Sequence, residues 1–320
     1  AATNAELEQR VIELERRLEQ MQGTDGALTD QDFRAYWDNG LRFKSGDSNF
    51  SLKVGGRIMN DWMWISEDDA ISSQLGSQED GTEFRRARLY MSGTIYENIG
   101  YKLQFDFAGP GTDLKDGYIS IKDLPFGTFK VGHFKEPFSL EELTSSKYIT
   151  FMERALPNAF SPGRNTGFMI YDTAFDEAMT WALGYFKEAD DNGSVQNSSS
   201  NNYTGRVTFA PVYENDGRNV LHLGAAYSRK SNGMDANGMT PGEDWRWRSR
   251  PEAHQTDRFV NTGYFSTDQI DIVGLEAATI MGPFSVQGEY IMSKADGSEG
   301  GPDVDVDGYY IYGSYWLTGE

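Results

Sequence analysis

The chain has 320 residues with 29 Lys and Arg against 49 Asp and Glu, a formal net charge of −20 with histidine neutral. That balance excludes a nonspecific nucleic-acid binder, because affinity for a phosphate backbone comes from positive patches. Only 38% of the residues are hydrophobic while 13% are aromatic and 35 are glycine, a leaner aliphatic content than a compact α/β enzyme carries.

No cysteine is present, which removes disulfides, zinc–thiolate sites and cysteine nucleophiles; the three histidines, His133, His222 and His254, show no metal-ligand spacing. No run approaches the roughly 18 apolar residues of a spanning helix, and no basic-then-apolar signal opens the chain. Ala1 in place of Met leaves room for a signal sequence already removed.

Residues 5–22 read AELEQRVIELERRLEQMQ, with Val11 and Leu18 at a and Leu7, Leu14 and Met21 at d of a heptad seam flanked by Glu and Arg. The pattern predicts a coiled-coil arm over 1–22, detached by a polar linker over 23–38. Isolated helices this short are marginal in water, so the arm gains from a body that already associates.

From residue 39 to 320 the period changes to 2. In YKLQFDF, Tyr101, Leu103, Phe105 and Phe107 share one face and Lys102, Gln104 and Asp106 the other. In RRARLYMSGTIY, Ala87, Leu89, Met91, Gly93 and Ile95 oppose Arg86, Arg88, Tyr90, Ser92 and Thr94; in DGYISIK, Ile119 and Ile121 oppose Asp116, Tyr118, Ser120 and Lys122. The alternation recurs in SLKVGGRI, MTWALGYF, GRVTFAP, IVGLEAA, FSVQGEYIM and YYIYGSYWL. It yields about a dozen to fourteen segments, many near the roughly 9–11 residues of a tilted membrane-spanning strand. Short turn signals (GPGTD at 109–113, DLPFG at 123–127, ENDGRN at 214–219) and long polar ones (66–82, 190–202, 231–244, 295–308) lie between them. Such a mixture suits an outer-membrane barrel with tight turns at one end and extended loops at the other. Residues 134–165 form a long connection with helical character in SLEEL and ITFMERA, predicted to fold into the barrel and narrow it. A soluble sandwich also alternates, but its core would be mostly Val, Ile and Leu. Here the apolar face is rich in Phe, Tyr, Met and Gly, with Trp62, Trp64, Trp181 and Trp316 near strand ends, as in interfacial girdles.

Arg246, Arg248 and Arg250 stand at i, i+2 and i+4 with Trp245 and Trp247 between them. On a membrane strand, three guanidiniums on one face must line the lumen, since each costs about 2–4 kcal/mol against lipid near the midplane. Arg86 and Arg88 share the lumenal parity of their strand, whereas parity turns Arg85 outward unless a bulge intervenes. A row of guanidiniums offers an anion several similar weak sites, and the planar fork suits phosphate. DVDVDG (303–308) matches half of an EF-hand loop, but its twelfth position is Ser314 and not Glu, so an acidic external loop is the better reading. No Walker A, G-x-S-x-G or G-x-G-x-x-G is present, and no Ser–His pair can be placed. No enzyme chemistry and no cofactor are expected.

The segments DGTEFRRARLYMSGTIYENIGYKLQFDFAG, VGHFKEPFSLEELTSSKYITFMER and WRWRSRPEAHQTDRFVNTG resemble the phosphate-selective porins of the O and P type. The resemblance covers essentially the whole chain. It implies an all-β, antiparallel transmembrane β-barrel, usually sixteen-stranded, in a homotrimer in the Gram-negative outer membrane, with the arm in the periplasm and an arginine ladder feeding a constriction. By this resemblance Arg85 and Arg86 match the ladder's start, Arg246, Arg248 and Arg250 its barrel-wall run, Lys147 the constriction lysine and Asp116 an acidic residue facing it, although strict residue counting would land on Ser120. His254 stands where the ladder's next arginine is expected. Partners implied are phosphate or other small anions, outer-membrane lipid and lipopolysaccharide, and no nucleic acid. A general diffusion porin, and an extracellular carbohydrate-binding or adhesive β-protein, remain alternatives. Two heptads with Val at a and Leu at d lean toward dimers, against the trimer of the resemblance. The chain ends YYIYGSYWLTGE with the strand count short of sixteen, so two to four C-terminal strands are expected to be missing and an open-edged sheet is predicted. The acidic residues concentrate in the arm and in EDD (67–69), EADD (188–191) and DVDVD (303–307), while 245–258 holds four Arg against one Glu and one Asp.

Overall fold

The computed structural model describes residues 32–195, 200–231, 245–298 and 301–318. In chain order the strands are β1 (Phe33–Trp37), β2 (Leu41–Ser45), β3 (Phe50–Met63), β4 (Gly81–Ile95), β5 (Ile99–Asp106), β6 (Asp113–Leu124), β7 (Gly127–Lys135), β8 (Arg164–Ala174), β9 (Met179–Lys187), β10 (Asn201–Glu214), β11 (Asn219–Ser231), β12 (Arg248–Ser249), β13 (Val260–Asn261), β14 (Thr267–Met281), β15 (Phe284–Gly297) and β16 (Val304–Tyr315). Fourteen of them form one antiparallel barrel wall in sequence order, and β12 with β13 makes a separate hairpin. Each wall strand pairs with its neighbour in the chain, as a meander with hairpin connections requires. β1 and β16 are the two edges of the sheet. Among the described residues, the α-helices lie in connections: α1 (Asp69–Leu75) and α2 (Leu140–Leu143).

Burial alternates along the strands with the period that the sequence carries. Ile58, Leu89, Ile119, Phe168, Leu183, Leu223, Leu275 and Ile311 all point outward and are exposed. A water-soluble sheet would have to hide that face against a second sheet, and among the described residues none covers it. An outward apolar band is what lipid solvates. This arrangement removes the sandwich alternative. The inner face is polar on β3–β6, and apolar where Ile270, Ile272, Ile291 and Ala295 meet Phe138, Phe160 and Trp247 from two connections.

The turns divide the wall into two ends. At one end lie the tight connections 46–49, 96–98, 125–126, 175–178, 215–218 and 282–283; at the other lie 64–80, 136–163 and the described residues 188–195 and 245–266 of two further connections. The ENDGRN turn folds as its composition dictates, with Asn215, Asp216 and Gly217 all at positive φ. GPGTD, though short, lies at the long-loop end, because the chain must alternate ends after each strand.

Several expectations need correction or lie outside what is described. The coiled-coil arm over 1–22 falls outside the described residues. Strand β1 begins at Phe33, inside the stretch 23–38 read as linker, since Phe33, Ala35 and Trp37 alternate with Arg34 and Tyr36 and pair with β2. ITFMERA is not helical: it runs as bends, its polar side chains being spent on contacts with the wall and the rest of the loop. From Val304 on, DVDVD is strand and not loop, with Asp303 just before it: Val304 and Val306 turn inward against the apolar cluster while Asp305 and Asp307 face out at the rim.

Candidate functional site

The connection between β7 and β8, residues 136–163, folds inside the wall. It begins with a buried anchor: Glu136 is fully buried and accepts from Asn165 Nδ2 at 2.7 Å, Asn202 Nδ2 at 3.2 Å and the Thr204 hydroxyl. Burial pushes its carboxyl up from the usual range. Phe138, wholly buried, then lies against the inner face of β14 at Gly274, where a Cβ would stand 2.9 Å from the ring; only glycine admits this approach. On the opposite flank, Arg57 of β3 donates to Ser145 Oγ at 2.7 Å, and Arg85 of β4 forms a two-pronged pair with Glu153. Arg154 donates to the carbonyls of Glu141 and Thr144 at 2.8 Å, closing the loop on itself. Its neighbour Glu142 is buried, which by itself raises a carboxyl, yet Lys135, Arg154 and Arg164 together hold it below the ordinary value.

Beside this loop a cavity of about 860 Å³ opens along the inner faces of β3–β10. Eleven Lys or Arg side chains line it against two carboxylates, Asp116 and Asp172. Seven of the eleven are within 4.0 Å of a carboxylate: Arg86, Arg88, Lys102, Lys135, Arg154, Arg164 and Arg206. The other four, Lys53, Arg57, Lys130 and Lys147, have no such partner among the described residues. Lys130 is instead held by three rings, its ammonium 4.6 Å from Tyr118, 5.0 Å from Phe134 and 4.9 Å from Tyr171. Ring faces stabilise a cation without cancelling its charge. A −20 chain therefore lines this cavity with a cationic excess, although Asp106, Asp116, Glu276 and Glu289 also face inward.

The expected site residues divide. Arg86 and Arg88 face the lumen by parity; Arg88 Nε donates to Asp106 Oδ2 at 2.6 Å. Arg85 also faces inward, because the β3–β4 register pairs Met59 with Arg86 and Asn60 with Phe84, leaving Arg85 as the extra residue of a bulge. Lys147 sits exposed on the loop and lines the cavity with Tyr148 beneath its ammonium at 5.2 Å. Asp116 lines the same cavity but is not a free acid facing Lys147: Lys102 at 2.7 Å and Arg164 at 3.3 Å neutralise it. Ser120 lies further down the same inner face.

Arg246, Arg248 and Arg250 do not stand on the barrel wall. Arg248 lies in the small hairpin β12–β13, within the connection 232–266, and the other two flank it. Pro251 stops the strand directly after Arg250, so the segment never reaches membrane-spanning length. Trp247 does take the opposite face, but it is buried against Phe160 and Phe265 and meets no lipid. Arg246 stacks on Tyr264 at 4.1 Å, while Arg248 and Arg250 join Arg85, Arg154 and Arg258 around a second cavity of about 340 Å³ at the long-loop end. His254 Nδ1 lies 2.9 Å from both carboxylate oxygens of Glu83, docking this connection onto β4. Lys53, Arg57, Lys130, Arg164 and Arg206 were missed in the sequence. The first three were within reach, since each lies opposite the apolar residues of its own alternating segment.

The family model described as "Phosphate-selective porin O and P" matches residues 52–320. Porin O of Pseudomonas aeruginosa is 30% identical over 93% of this chain and 70% of its own length. A protein of Caulobacter vibrioides is 30% identical over 89% of the chain, which spans only 56% of that relative. Among solved structures, the anion-selective porin from Comamonas acidovorans superposes with a TM-score of 0.54 at 16% identity, covering 84% of this chain and 75% of that one. The trimer form of OmpT, an outer-membrane protein of Vibrio cholerae, gives 0.52 at 12% identity over 84% and 73%.

Proposed function

The chain belongs to the phosphate-selective porin O and P family, and on that premise we propose that it conducts small anions, phosphate or polyphosphate among them, down their gradients through a basic lumen. It is a porin of the outer membrane and not an enzyme. The observation that carries the anion reading is the excess of eleven cationic side chains over two carboxylates around one cavity, four of the cations having no ion-pair partner among the described residues. Unpaired cations in a narrow, low-dielectric passage raise local anion concentration and exclude cations. Arg85, Arg86, Arg88 and Lys147 belong to this lining or its entrance, and Arg246, Arg248 and Arg250 act at the mouth, where they gather anions before entry. Asp116 holds Lys102 and Arg164 in place and binds no anion itself.

Phosphate preference rests on the guanidinium fork of Arg57, which is free of carboxylate and can donate in parallel to two phosphate oxygens. Inorganic phosphate added to chloride-bathed single channels tests it: block of chloride current at sub-millimolar phosphate supports the preference, and unaltered chloride current removes it. A general diffusion porin without phosphate preference is the second reading, favoured by the ion-paired state of the other seven lining cations. Assembly as a homotrimer, with lipid and lipopolysaccharide around the outer wall, belongs to the same proposal.

A further inference from the structure

Glu289 lies on the inner face of β15, almost fully buried, and no Lys, Arg or His is within ion-pair distance of it among the described residues. A carboxylate placed so must be satisfied by hydrogen bonds. Its two oxygens accept from the amides of Leu140 at 2.9 Å and Glu141 at 2.8 Å, the first amides of α2, and Oε1 accepts also from the Tyr310 hydroxyl of β16 at 2.7 Å. Gln287 Nε2 donates to that hydroxyl at 2.9 Å and so orients it. The next amide, of Glu142, is taken by Ser139 Oγ at 3.1 Å, with Ser139 itself at φ 65°. The opening amides of α2 are thus divided between a side chain of the loop and a side chain of the wall nearly 150 residues away.

We infer that Glu289 is the positioning residue of the constriction loop. It fixes where α2 (Leu140–Leu143) begins, and with it the seven-residue step from Leu140 to Lys147 that places the unpaired lysine beside the cavity. The other holds act elsewhere: Glu136 grips the loop's root, Phe138 its first turn, and Arg57 and Arg85 its far flank. Lys135 and Arg154 reach carbonyls of the same helix, and among the described wall side chains Glu289 is the one that accepts from its opening amides. The functional weight of that position rests on the channel reading above, but the position itself does not.

The test uses the chain's lack of cysteine, which makes Lys147→Cys a unique thiol. The full chain carrying K147C is reconstituted in bilayers, and the rate of modification by a neutral methanethiosulfonate is read with and without Glu289→Ala. E289A is expected to change that rate about tenfold and to add noise to the open current, the order expected on losing two charge-assisted hydrogen bonds of the docked state. Glu289→Gln, which keeps one acceptor, is expected to fall between. An unchanged rate in E289A, or equal effects of E289A and E289Q, overturns the positioning role, the second by showing that charge alone matters. Should E289A lose its heat-modifiable gel mobility, the milder Tyr310→Phe decides by the same rate measurement: a changed rate supports the role and an unchanged one overturns it. A wild-type channel that prefers cations would remove the anion reading while leaving the thiol rate to decide this one.

Discussion

Arg57 and Arg88 stand directly opposite each other across β3 and β4, and among the described residues only Arg88 has a carboxylate, Asp106, to neutralise it. Like charges opposed across a strand pair repel, so the pair persists because Asp106 quenches one member and the Ser145 hydroxyl and open lumen accommodate the other. The two arginines therefore differ in role although they share a row.

Replacing Arg57 with Ala should lower the anion-to-cation permeability ratio by roughly threefold or more, since a unit charge a few ångströms away in a medium between water and protein is worth on the order of 1 kcal/mol. Thermal stability in detergent should change little. Replacing Arg88 with Ala should do the reverse in emphasis: Asp106 is left buried and unpaired, a loss of about 3 kcal/mol, seen as a lower temperature for loss of the compact gel band.

Gly274 should not tolerate a side chain. Gly274→Val places atoms into the Phe138 ring, so the strand or the loop must give way at about 1–3 kcal/mol, read as a lower unfolding temperature and a broadened conductance histogram. A Phe138→Leu change in the same chain should recover part of both.

Glu141 supplies the pH dependence. Burial raises its carboxyl to about 7, Glu289 and Glu142 nearby add to the rise, and the Ala155 amide and Arg154 oppose it. With the folded value above the ordinary one of 4.5, the folded loop binds the proton more tightly than an undocked one. Docking is then firmest at acid pH and weakens as pH rises from about 4.5 toward 7, where a negative charge also appears beside the constriction. Anion selectivity should fall between pH 6 and 8, and Glu141→Gln should flatten that dependence.

Arg248 and Arg250 should act on access and not on passage. Changing both to Ala should reduce single-channel conductance at about 0.01 M salt and leave it nearly unchanged at about 1 M, where the screening length falls to roughly 3 Å. A reduction of equal size at both concentrations would place them in the constriction.

Parity made most of this architecture legible. A period of 2 from Leu41 to Tyr315 named the wall strands and the lumenal faces of Arg86, Arg88 and Asp116, because in a barrel each side chain has only two directions to point. What parity does not encode is where a strand belongs. Arg246, Arg248 and Arg250 alternate as faithfully as any wall strand, but Pro251 ends the run and Trp247 finds its apolar partners in Phe160 and Phe265, so the segment folds over the mouth. Arg85 shows the converse: one extra residue in β4 turns inward a side chain that counting sends to lipid. Long-range partners are invisible to either rule. Nothing near Leu140 in the chain announces that Glu289 will cap its helix, and nothing in YKLQFDF tells that Lys102 is paired while Lys130 and Lys53 have no carboxylate partner among the described residues. The net charge of −20 misled for the same reason, since it sums rims with lumen.

The zero-current potential across a bilayer holding the channel between unequal KCl solutions tests the central claim most directly. Chloride selectivity, shifting toward zero in Arg57→Ala and Lys147→Ala, is the predicted result. A potential of the sign for potassium selectivity, unmoved by either change, would contradict a lumen governed by its unpaired cations.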